Sequence, residues 1–420
     1  MFCSFATAES PAEPVDHAGQ LPFARASETV KAEVTVKTYV DGDTVHFNVD
    51  EQIMETGVLK ARFLAINTPE CTGKIEEYGK KASVFTKEKL SSATSIILES
   101  ETGIWDPDST GDRYLVWVWY RPAGESQYRN LNLEILQNGL AIANSTAQNR
   151  YGTVCMNALN QARKLKLNVY SGQKDPDFYY GTAVELTLKE LRTNPEAYNG
   201  IKVAFNGVVT MDNANSVYVE SHDAETDLYY GISVYYGYGL SGKGLEILTV
   251  GNEVRIVGTM QYYEAGGTWQ VSGLTYRMMK PTDPGNIQKL SDGHTAAWVP
   301  TAADVFVNGK VEIRGEETVA TFPYAQLVQA TSLEMKGLTV TGAYTTMDEA
   351  SSSFGAITLT CQSGGVTVYV RTIPLRTAEG KLVTEDMFLG KTIDVKGIAD
   401  YFDGQYQVKV FTLGGITIID

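Results

Sequence analysis

A spacing that occurs twice in the second half of the chain constrains the fold most. Val250-Gly251-x-x-Val254-x-Ile256-x-Gly258 and Leu389-Gly390-x-x-Ile393-x-Val395-x-Gly397 place apolar residues and glycines at the same intervals. Each run is followed by aromatic residues, a glycine turn and a strand-like segment, Trp269-Gln270-Val271 in one case and Tyr406-Gln407-Val408 in the other. Alternating apolar residues predict half-buried strands, and a repeat of this kind predicts one structural unit present twice. We therefore expect two β-rich domains of the same fold.

The length of 420 residues exceeds what one hydrophobic core organises, because domains hold about 100 to 200 residues. We expect a leader and disordered segment at 1–30, a mixed domain at 31–178, an OB-like β-domain at 179–281, a linker at 282–300 and a second OB-like β-domain at 301–420. The turn-rich stretch from Pro281 to Gly285 opens the predicted linker.

Residues 31–178 alternate between strand and helix patterns. A β-meander is predicted over 31–66, followed by strands at 95–99 and 115–120. Helical patterns cover 76–90, 131–138 and 154–166, and Gly139 follows the second as a helix stop. Five short strands with interleaved helices indicate an OB-type barrel, a fold that often binds oligonucleotides or oligosaccharides. The predicted class is thus mainly β with some α: an OB-fold barrel with three helices, then two all-β OB-like domains.

The charge is distributed unevenly along the chain. The net charge is -15, but residues 31–178 are nearly neutral, with 17 Lys and Arg against 19 Asp and Glu. Residues 179–420 carry 17 basic and 27 acidic residues. The charge therefore argues against binding of nucleic acid through a broad basic surface, because phosphate neutralisation by Lys and Arg supplies that affinity. No apolar run reaches the length of a membrane span.

Cysteine and histidine offer little material for metal chemistry. The four cysteines, Cys3, Cys71, Cys155 and Cys361, lack C-x-x-C spacing, so a structural zinc site is not supported. A disulfide between Cys71 and Cys155 remains open. The four histidines are widely spaced, and His46 alternates with apolar neighbours as a strand residue does.

The N-terminus is similar to the end of a signal peptide. Residues 1–5 are largely apolar, and Ala6-Thr7-Ala8 has the small-x-small form of a cleavage site. Residues 9–14 have the composition of a disordered tail. We expect a secreted protein, or one associated with the cell surface, that is monomeric.

Three short segments suggest chemistry: Val40-Asp41-Gly42-Asp43-Thr44, then Arg62 to Glu70, which reads R-F-L-A-I-N-T-P-E, then Asp112-Arg113-Tyr114-Leu115. Each is ordinary alone. Asp-Gly is a common hairpin turn, Thr-Pro-Glu a good helix start, and Asp-Arg a common surface pair.

Together and in this order, the segments resemble the staphylococcal nuclease (thermonuclease) family. The family pattern runs D-G-D-T, R-L-x-x-[IV]-D-T-P-E, Y-G-x-x-A and then an arginine before a strand. Tyr78-Gly79-Lys80-Lys81-Ala82 supplies the third element, and residues 138–141 and 166–170 match later landmarks. The resemblance covers residues 31 to about 174.

The resemblance implies a role for each matching residue. Asp43, Asn67 and the carbonyl of Thr68 would hold Ca²⁺, which prefers hard oxygen ligands. Glu70 would be the general base. Arg62 would bind phosphate oxygens bidentately, which lysine does poorly. Further candidates are Arg113 as second catalytic arginine, Tyr114, Lys80 and Lys81 as substrate contacts, and Asp41 and Thr44 as supporting residues.

Two positions depart from the family pattern. Asn67 stands where the family has aspartate, so it keeps an oxygen ligand and loses a negative charge, which weakens calcium binding. The sequence Asp112-Arg113-Tyr114-Leu115 lacks the family's spacing, so the second arginine position falls on Arg113 or on Val116. We prefer Arg113, because a strand shifted by one residue exchanges its two faces.

The leading hypothesis is a secreted, Ca²⁺-dependent nuclease that hydrolyses the phosphodiester bonds of DNA and RNA with little sequence specificity. The alternative is a catalytically weak or inactive scaffold of three OB-like domains that binds nucleic acid, glycans or a protein partner. Retention of Glu70 favours the enzyme, because a carboxylate beside phosphate has no use in a protein that only binds. The ligand of the two C-terminal domains is not predicted.

Overall fold

The computed structural model describes residues 13–264, 266–315, 318–348, 351, 353–402 and 404–419. Its contacts divide the chain into two compact units. Unit 1 contains the chain up to Cys71 together with Glu76–Phe178, and unit 2 contains Thr72–Ile75 together with Tyr179 and the residues after it. The signal-peptide motif at residues 6–8 lies outside the described residues.

Unit 1 contains eight strands and four α-helices among the described residues. In chain order they are α1 His17–Gln20, β1 Lys31–Tyr39, β2 Thr44–Asn48, β3 Val58–Phe63, β4 Ile66–Asn67, α2 Gly79–Ser91, β5 Ser95–Glu99, β6 Tyr114–Arg121, β7 Arg129–Asn130, α3 Leu131–Gln137, β8 Ile142–Ala143 and α4 Gly152–Lys164, with 3-10 turns at Thr146–Gln148 and Asn168–Tyr170. The predicted strand at 95–99 and the three longer helices are confirmed.

Five strands of unit 1 close into a barrel. β1 pairs with β2 and β5, β2 with β3, and β5 with β6, all antiparallel, and a parallel pairing of β3 with β6 completes the circle. Burial alternates along β3, so Leu59, Ala61 and Phe63 enter the core while Arg62 stays on the other face. This alternation of period two places the arginine outside the barrel interior.

The ends of α3 follow local rules. The side chain of Asn130 caps the helix by accepting a hydrogen bond from the backbone of Leu133. Gly139 follows its last turn with φ +64°, a left-handed conformation that glycine adopts without strain. The sequence predicted both this helix and its end.

The described residues before β1 make contacts within unit 1, in the region predicted as a leader and disordered segment. His17–Gln20 is helical, and Asp16 forms two hydrogen bonds, 2.8 and 2.9 Å long, with the guanidinium of Arg129. Ser27 and Thr29 both donate to the buried carboxylate of Glu99. These long-range partners have no signal in the local composition.

Unit 2 contains two further barrels. The first comprises β9 Val184–Glu185, α5 Leu188–Thr193, β10 Lys202–Asn213, β11 Ser216–Asp223, β12 Leu228–Tyr235, α6 Lys243–Ile247, β13 Glu253–Tyr263, β14 Thr268–Ser272 and β15 Gln288–Ser291, with a 3-10 turn at Pro195–Tyr198. The second comprises β16 Val299–Pro300, α7 Ala303–Asn308, β17 Lys310–Arg314, β18 Val319–Pro323, α8 Tyr324–Leu327, β19 Ser332–Thr345, β20 Ile357–Ser363, β21 Val366–Thr372, β22 Thr392–Phe402, β23 Gln405–Val410 and β24 Ile416–Ile418, with 3-10 turns at Glu385–Met387 and Leu413–Gly415.

Both barrels of unit 2 repeat the strand order of unit 1. In each, the first strand pairs with the second and fourth, and the third pairs in parallel with the fifth. In chain order the five strands are β10, β11, β12, β13 and β14 in one barrel, and β19, β20, β21, β22 and β23 in the other. The three closed five-stranded barrels confirm the predicted fold class. The duplicated spacing falls on β13 and β22, the corresponding strands of the two barrels.

The stretch predicted as a linker, 282–300, contains more structure than its composition suggests. β15 pairs antiparallel with β13 and extends the sheet of the first barrel, and β16 pairs in parallel with β19 of the second. No helix among the described residues is long and apolar enough to cross a membrane.

Candidate active site

The turn between β1 and β2 forms the base of the site. The carboxylate of Asp41 accepts a hydrogen bond from the backbone of Asp43, 3.0 Å long, which closes the turn. The carbonyl of Gly42 accepts a hydrogen bond from the hydroxyl of Thr86 on α2, 2.6 Å long. A Cβ atom at Gly42 would lie 2.9 Å from a side-chain carbon of Thr68, so only glycine fits. The turn is therefore held from both sides.

Asp43 is the most enclosed acidic group of the site. Its side chain lies at a fully buried position and accepts hydrogen bonds from the backbone of Thr68 at 2.8 Å and from the hydroxyl of Thr44 at 3.1 Å. It also forms an ion pair with Arg62. Burial raises its pKa to about 7, and the negative charge of Asp41 adds to the rise, while Arg62 and the Thr68 N–H act in the opposite direction.

Arg62 joins the two side chains that the sequence assigned to calcium. One terminal nitrogen of its guanidinium donates to Asp43, and the other donates to the amide oxygen of Asn67 at 2.5 Å. The arginine side chain retains 12% exposure, whereas that of Asp43 has 1%. A partly exposed cation beside a buried carboxylate can also meet an anion arriving from solvent.

Glu70 lies where the chain leaves β4 and turns toward α2. Its backbone N–H donates to the carboxylate of Glu76 at 3.1 Å, and its carbonyl accepts from the Glu76 N–H at 2.9 Å. A Cβ atom at Gly79 would lie 2.2 Å from this carbonyl, which explains the glycine in Tyr78-Gly79. Partial burial, then the charge of Asp41, raise the pKa of the Glu70 carboxyl, and Arg62 lowers it. The electrostatic influence of Arg62 on Glu70 links both groups to one site.

Arg113 precedes β6, next to the strand that carries Arg62. Its guanidinium is held by Asp108 through contacts of 2.7 and 2.6 Å, and its charge lowers the pKa of Glu70. Val116, the alternative position, is fully buried in the core. Arg62 pairs with Leu115 across the two strands, and Arg113 lies two residues before Leu115. The role of Arg113 in catalysis remains a prediction.

The other candidates surround this cluster in different ways. Thr44 and Thr68 are buried, and both bond to Asp43. Tyr114 is half-buried against the core and pairs with Ala61. Lys80 and Lys81 are exposed in the first turn of α2. These two lysines are available to solvent, and their contact with a substrate remains a prediction.

Sequence reasoning missed three supporting residues. Thr86 anchors the turn of Asp41 and Asp43, Asp108 holds Arg113, and Asp175 accepts a 2.6 Å hydrogen bond from the backbone of Tyr78. Of these three, only Asp108 lies close in sequence to the residue that it contacts, five residues before Arg113.

The donor set consists of oxygen atoms, which suit a hard cation, and includes one carboxylate. Among the described residues, no group of three His, Cys, Asp or Glu side chains is arranged to hold a metal. The oxygens available are the Asp43 carboxylate, the Asn67 amide oxygen and the Thr68 carbonyl, all of a kind that Ca²⁺ accepts. Burial and the charge of Asp41 raise the pKa of Asp43 to about 7 although Arg62 pairs with it, so the guanidinium only partly compensates the charge of the ionised form. A divalent cation would supply the missing positive charge. Asp43 and Asn67 would then both give up their contacts with Arg62 and contact the cation instead.

The closed barrel and the charged cluster at one end of it define unit 1 as an OB-fold domain with a polar site. Residues 60–172 match the sequence model of the staphylococcal nuclease homologue family. This part of the chain is therefore similar to a domain of that family. No curated protein matches the chain. The matched range begins after Asp43, and the contacts of Arg62 connect that aspartate to it.

Proposed function

We propose that unit 1 is a Ca²⁺-dependent phosphodiester hydrolase that cuts DNA and RNA with little sequence specificity. The observation that carries this proposal is the guanidinium of Arg62, which contacts Asp43 and Asn67 together and influences the pKa of Glu70. Phosphodiester hydrolysis requires a positive charge near the phosphate and a base near the attacking water. The site offers the guanidinium of Arg62, the half-buried carboxyl group of Glu70 and the buried carboxylate of Asp43 as a cation ligand.

Glu70 is proposed as the general base. It accepts a proton from the water molecule that attacks phosphorus, so it acts in its ionised form. Its raised pKa brings it closer to neutral pH, where a base combines sufficient ionisation with a stronger pull on the proton. Partial burial thus raises the pKa of the Glu70 carboxyl group.

Arg62 and Arg113 are proposed to stabilise the charge that develops on the phosphate oxygens. A guanidinium donates two parallel hydrogen bonds to one phosphate group, which a lysine ammonium does not. Asp43, Asn67 and the carbonyl of Thr68 would hold Ca²⁺, which when bound would neutralise the phosphate and polarise its oxygens. Asp41 and Thr44 support Asp43, and Tyr114, Lys80 and Lys81 are proposed to contact the substrate.

Plasmid DNA and a structured RNA, incubated with the full chain at millimolar calcium, test the proposal. We expect both to be cut and the cutting to stop in excess chelator. Glu70→Gln should abolish cutting and leave binding of an oligonucleotide largely unchanged. Glu77→Gln is the matched control, since it removes the same charge at an exposed position nearby, and it should cut normally.

Intact nucleic acid at every calcium concentration would contradict the enzyme and favour the alternative of an inactive binding scaffold. The neutral Asn67 in the donor set is the observation that keeps this alternative in consideration, because it weakens a calcium site. Normal cutting by Glu70→Gln would remove the proposed base and leave the nuclease function standing.

We also propose that the protein is secreted and monomeric, with domains at 31–178, 179–281 and 301–420. The small-x-small motif Ala6-Thr7-Ala8 supports secretion, and a weak calcium site suffices where calcium is millimolar. Cell fractionation tests the location, and light scattering of the purified chain tests the oligomeric state. Protein confined to the cell interior would contradict this location.

A further inference from the structure

Arg192 occupies a core position of a helix in unit 2. In α5, Leu188 and Leu191 enter the hydrophobic core of the first barrel of that unit. Arg192 follows Leu188 by four residues, so it lies on the same face of the helix. It is 4% exposed, and it is the one basic residue among the buried charged side chains of the described chain. A position that an amphipathic helix normally gives to an apolar residue is therefore occupied by a cation.

The guanidinium of Arg192 has no partner within the described residues. Its Nε atom is enclosed by protein and donates no hydrogen bond. Neither of its terminal nitrogens forms a hydrogen bond, an ion pair or a cation–π contact with a described residue. The N–H donors of the group are thus left without an acceptor from this part of the chain.

The other buried charged side chains of the described residues are all partnered. Each of them accepts at least one hydrogen bond from a described residue: Asp41, Asp43, Glu99, Glu134, Asp175 and Glu220. A charge that is removed from water without a partner strongly destabilises a fold. A counter-ion from outside the described chain would compensate the charge of Arg192 as these hydrogen bonds compensate the others.

Tyr406 is the group that interacts electrostatically with Arg192. Burial lowers the pKa of Arg192 to about 10, and among the described residues Tyr406 alone opposes this fall. The guanidinium thus stays positively charged at neutral pH. Burial raises the pKa of Tyr406, and the charge of Arg192 acts in the opposite direction. The Tyr406 ring contacts that of Tyr401 at 4.9 Å, and its hydroxyl has no hydrogen-bond partner among the described residues. Two unpartnered donor groups therefore lie within electrostatic range of one another.

These two donor groups select an oxyanion. A guanidinium presents a planar set of N–H groups that matches two oxygen atoms of a phosphate or carboxylate group, and a phenol hydroxyl donates one further hydrogen bond. A neutral ligand would leave the buried charge uncompensated. Since only 4% of Arg192 is exposed, the site admits a small group rather than a nucleic-acid strand. The excess of acidic residues in 179–420 also opposes a polyanion.

We propose that Arg192 and Tyr406 form an anion site in unit 2, which binds the phosphate or carboxylate group of a small ligand. The guanidinium supplies the positive charge and a pair of hydrogen bonds, and the hydroxyl of Tyr406 supplies another. This function is separate from hydrolysis in unit 1, and it does not depend on whether unit 1 cuts nucleic acid.

The Nε–H resonance of Arg192 in the ¹⁵N-labelled full chain tests the proposal, because it reports on this group alone. Its absence from the spectrum of Arg192→Met assigns it. The chain is titrated with inorganic phosphate, sulfate and acetate at constant ionic strength, without calcium. We expect at least one anion to shift the resonance along a saturating curve. A response to phosphate and sulfate identifies a tetrahedral oxyanion as the ligand, and a response to acetate alone identifies a carboxylate.

Melting temperatures of variants provide a second measurement. The anion that shifts the resonance should stabilise the wild type more than Arg192→Met, and Tyr406→Phe should bind it at least threefold more weakly. Without added oxyanion, Arg192→Met should be at least as stable as the wild type, since an apolar side chain then replaces an uncompensated buried charge. Arg314→Met removes an exposed arginine of unit 2, and it should respond to the anion like the wild type.

A resonance that responds to none of the three anions would overturn the proposal, because the guanidinium would then meet water alone. Equal stabilisation of the wild type and of Arg192→Met would overturn it too, since the anion would then act elsewhere, for example at the arginines of unit 1. Strong destabilisation of Arg192→Met without added oxyanion would mean that the chain itself compensates the arginine, which would also contradict the proposal.

Discussion

Asn67 is the residue that most affects the charge of the proposed calcium site. Its amide oxygen accepts a hydrogen bond from the guanidinium of Arg62 at 2.5 Å, and as a ligand it would contribute an oxygen atom without a charge. We expect Asn67→Asp to lower the calcium concentration for half-maximal cutting by about tenfold, because ligand charge sets the affinity of calcium sites. Activity measured against buffered calcium tests this.

The control for this prediction is Asn48→Asp, which adds the same charge at an exposed position of β2. It should leave the calcium dependence unchanged. Asn67→Asp with an unaltered calcium requirement would show that this side chain is not a ligand.

Asp43 makes the stability of unit 1 depend on pH in an unusual direction. Its pKa is about 7 in the folded protein and 3.8 when unperturbed. Between these values the folded state holds the proton more firmly than the unfolded state. The Asp43 contribution therefore destabilises the fold progressively as pH rises from about 4 to about 7, and is constant above that. Most paired carboxylates have the opposite effect.

Urea unfolding of the wild type and of Asp43→Asn, in chelator, measures this contribution. We expect the free energy of unfolding of the wild type, taken relative to the variant, to fall between pH 4 and pH 7. Titrating groups that do not interact with Asp43 affect both proteins equally and cancel. When calcium replaces the chelator, the fall in the free energy of unfolding between pH 4 and pH 7 should become smaller in the wild type and stay unchanged in the variant. A relative stability that rises with pH would contradict the raised pKa.

At the scale of elements, sequence patterns predicted those helices and strands whose position depends on neighbouring residues in the chain. The strand at Ser95–Glu99 and the helix that begins at Leu131 follow from apolar spacing and from the stop at Gly139. The helix predicted over 76–90 instead begins at Gly79, because Tyr78 adopts φ +65° and donates its backbone N–H to Asp175, far along the chain. Such a tertiary contact leaves no trace in local periodicity.

Gly258 and Gly397 occupy the same position in the two copies of the repeat. The sequence shows that both are glycine but does not show why glycine is needed there. A Cβ atom at Gly258 would lie 2.7 Å from the carbonyl of Ser272, and one at Gly397 would lie 2.6 Å from the carbonyl of Lys409. Both glycines let the fourth strand approach the fifth closely. The spacing alone predicted a repeat, whereas the close approach required the structure.

We expect Gly258→Ala and Gly397→Ala each to lower the free energy of unfolding of unit 2 by about 1 to 3 kcal/mol, the usual cost of overpacking. Thermal and urea denaturation measure this. Gly414→Ala is the matched control, because a Cβ atom there meets nothing within 4 Å. Equal free energies of unfolding for all three variants would mean that the fourth and fifth strands move apart to accept a Cβ atom without loss of stability.

At the scale of the whole molecule, the candidate site was predictable in its members and not in its connections. Asp43, Arg62 and Glu70 were identified from ordered motifs, and the barrel brings them into one electrostatic group. The bridging of Asp43 and Asn67 by Arg62 could not be predicted, because these residues lie on three segments whose register only the folded barrel fixes. Asp108, the partner of Arg113, lies in a loop without periodicity.

The charge of the whole chain should influence how the proposed nuclease meets its substrate. Residues 31–178 are nearly neutral, and residues 179–420 contribute most of the net charge of -15. At low salt this charge acts over a screening length of roughly 30 Å at 0.01 M, which shrinks to about 10 Å at 0.1 M. Repulsion of a polyanion should therefore weaken substrate binding by the full chain, most of all in dilute buffer.

We expect the KM for a short DNA duplex at 0.01 M salt to be about threefold or more higher for the full chain than for a fragment of residues 13–178, with similar kcat. The difference should vanish near 0.2 M salt, since screening removes the repulsion. Adding residues 179–420 as a separate fragment should not raise the KM, because the effect requires both parts in one chain. A full chain that binds the duplex more tightly than the fragment at low salt would instead mean that unit 2 attracts nucleic acid despite its net negative charge.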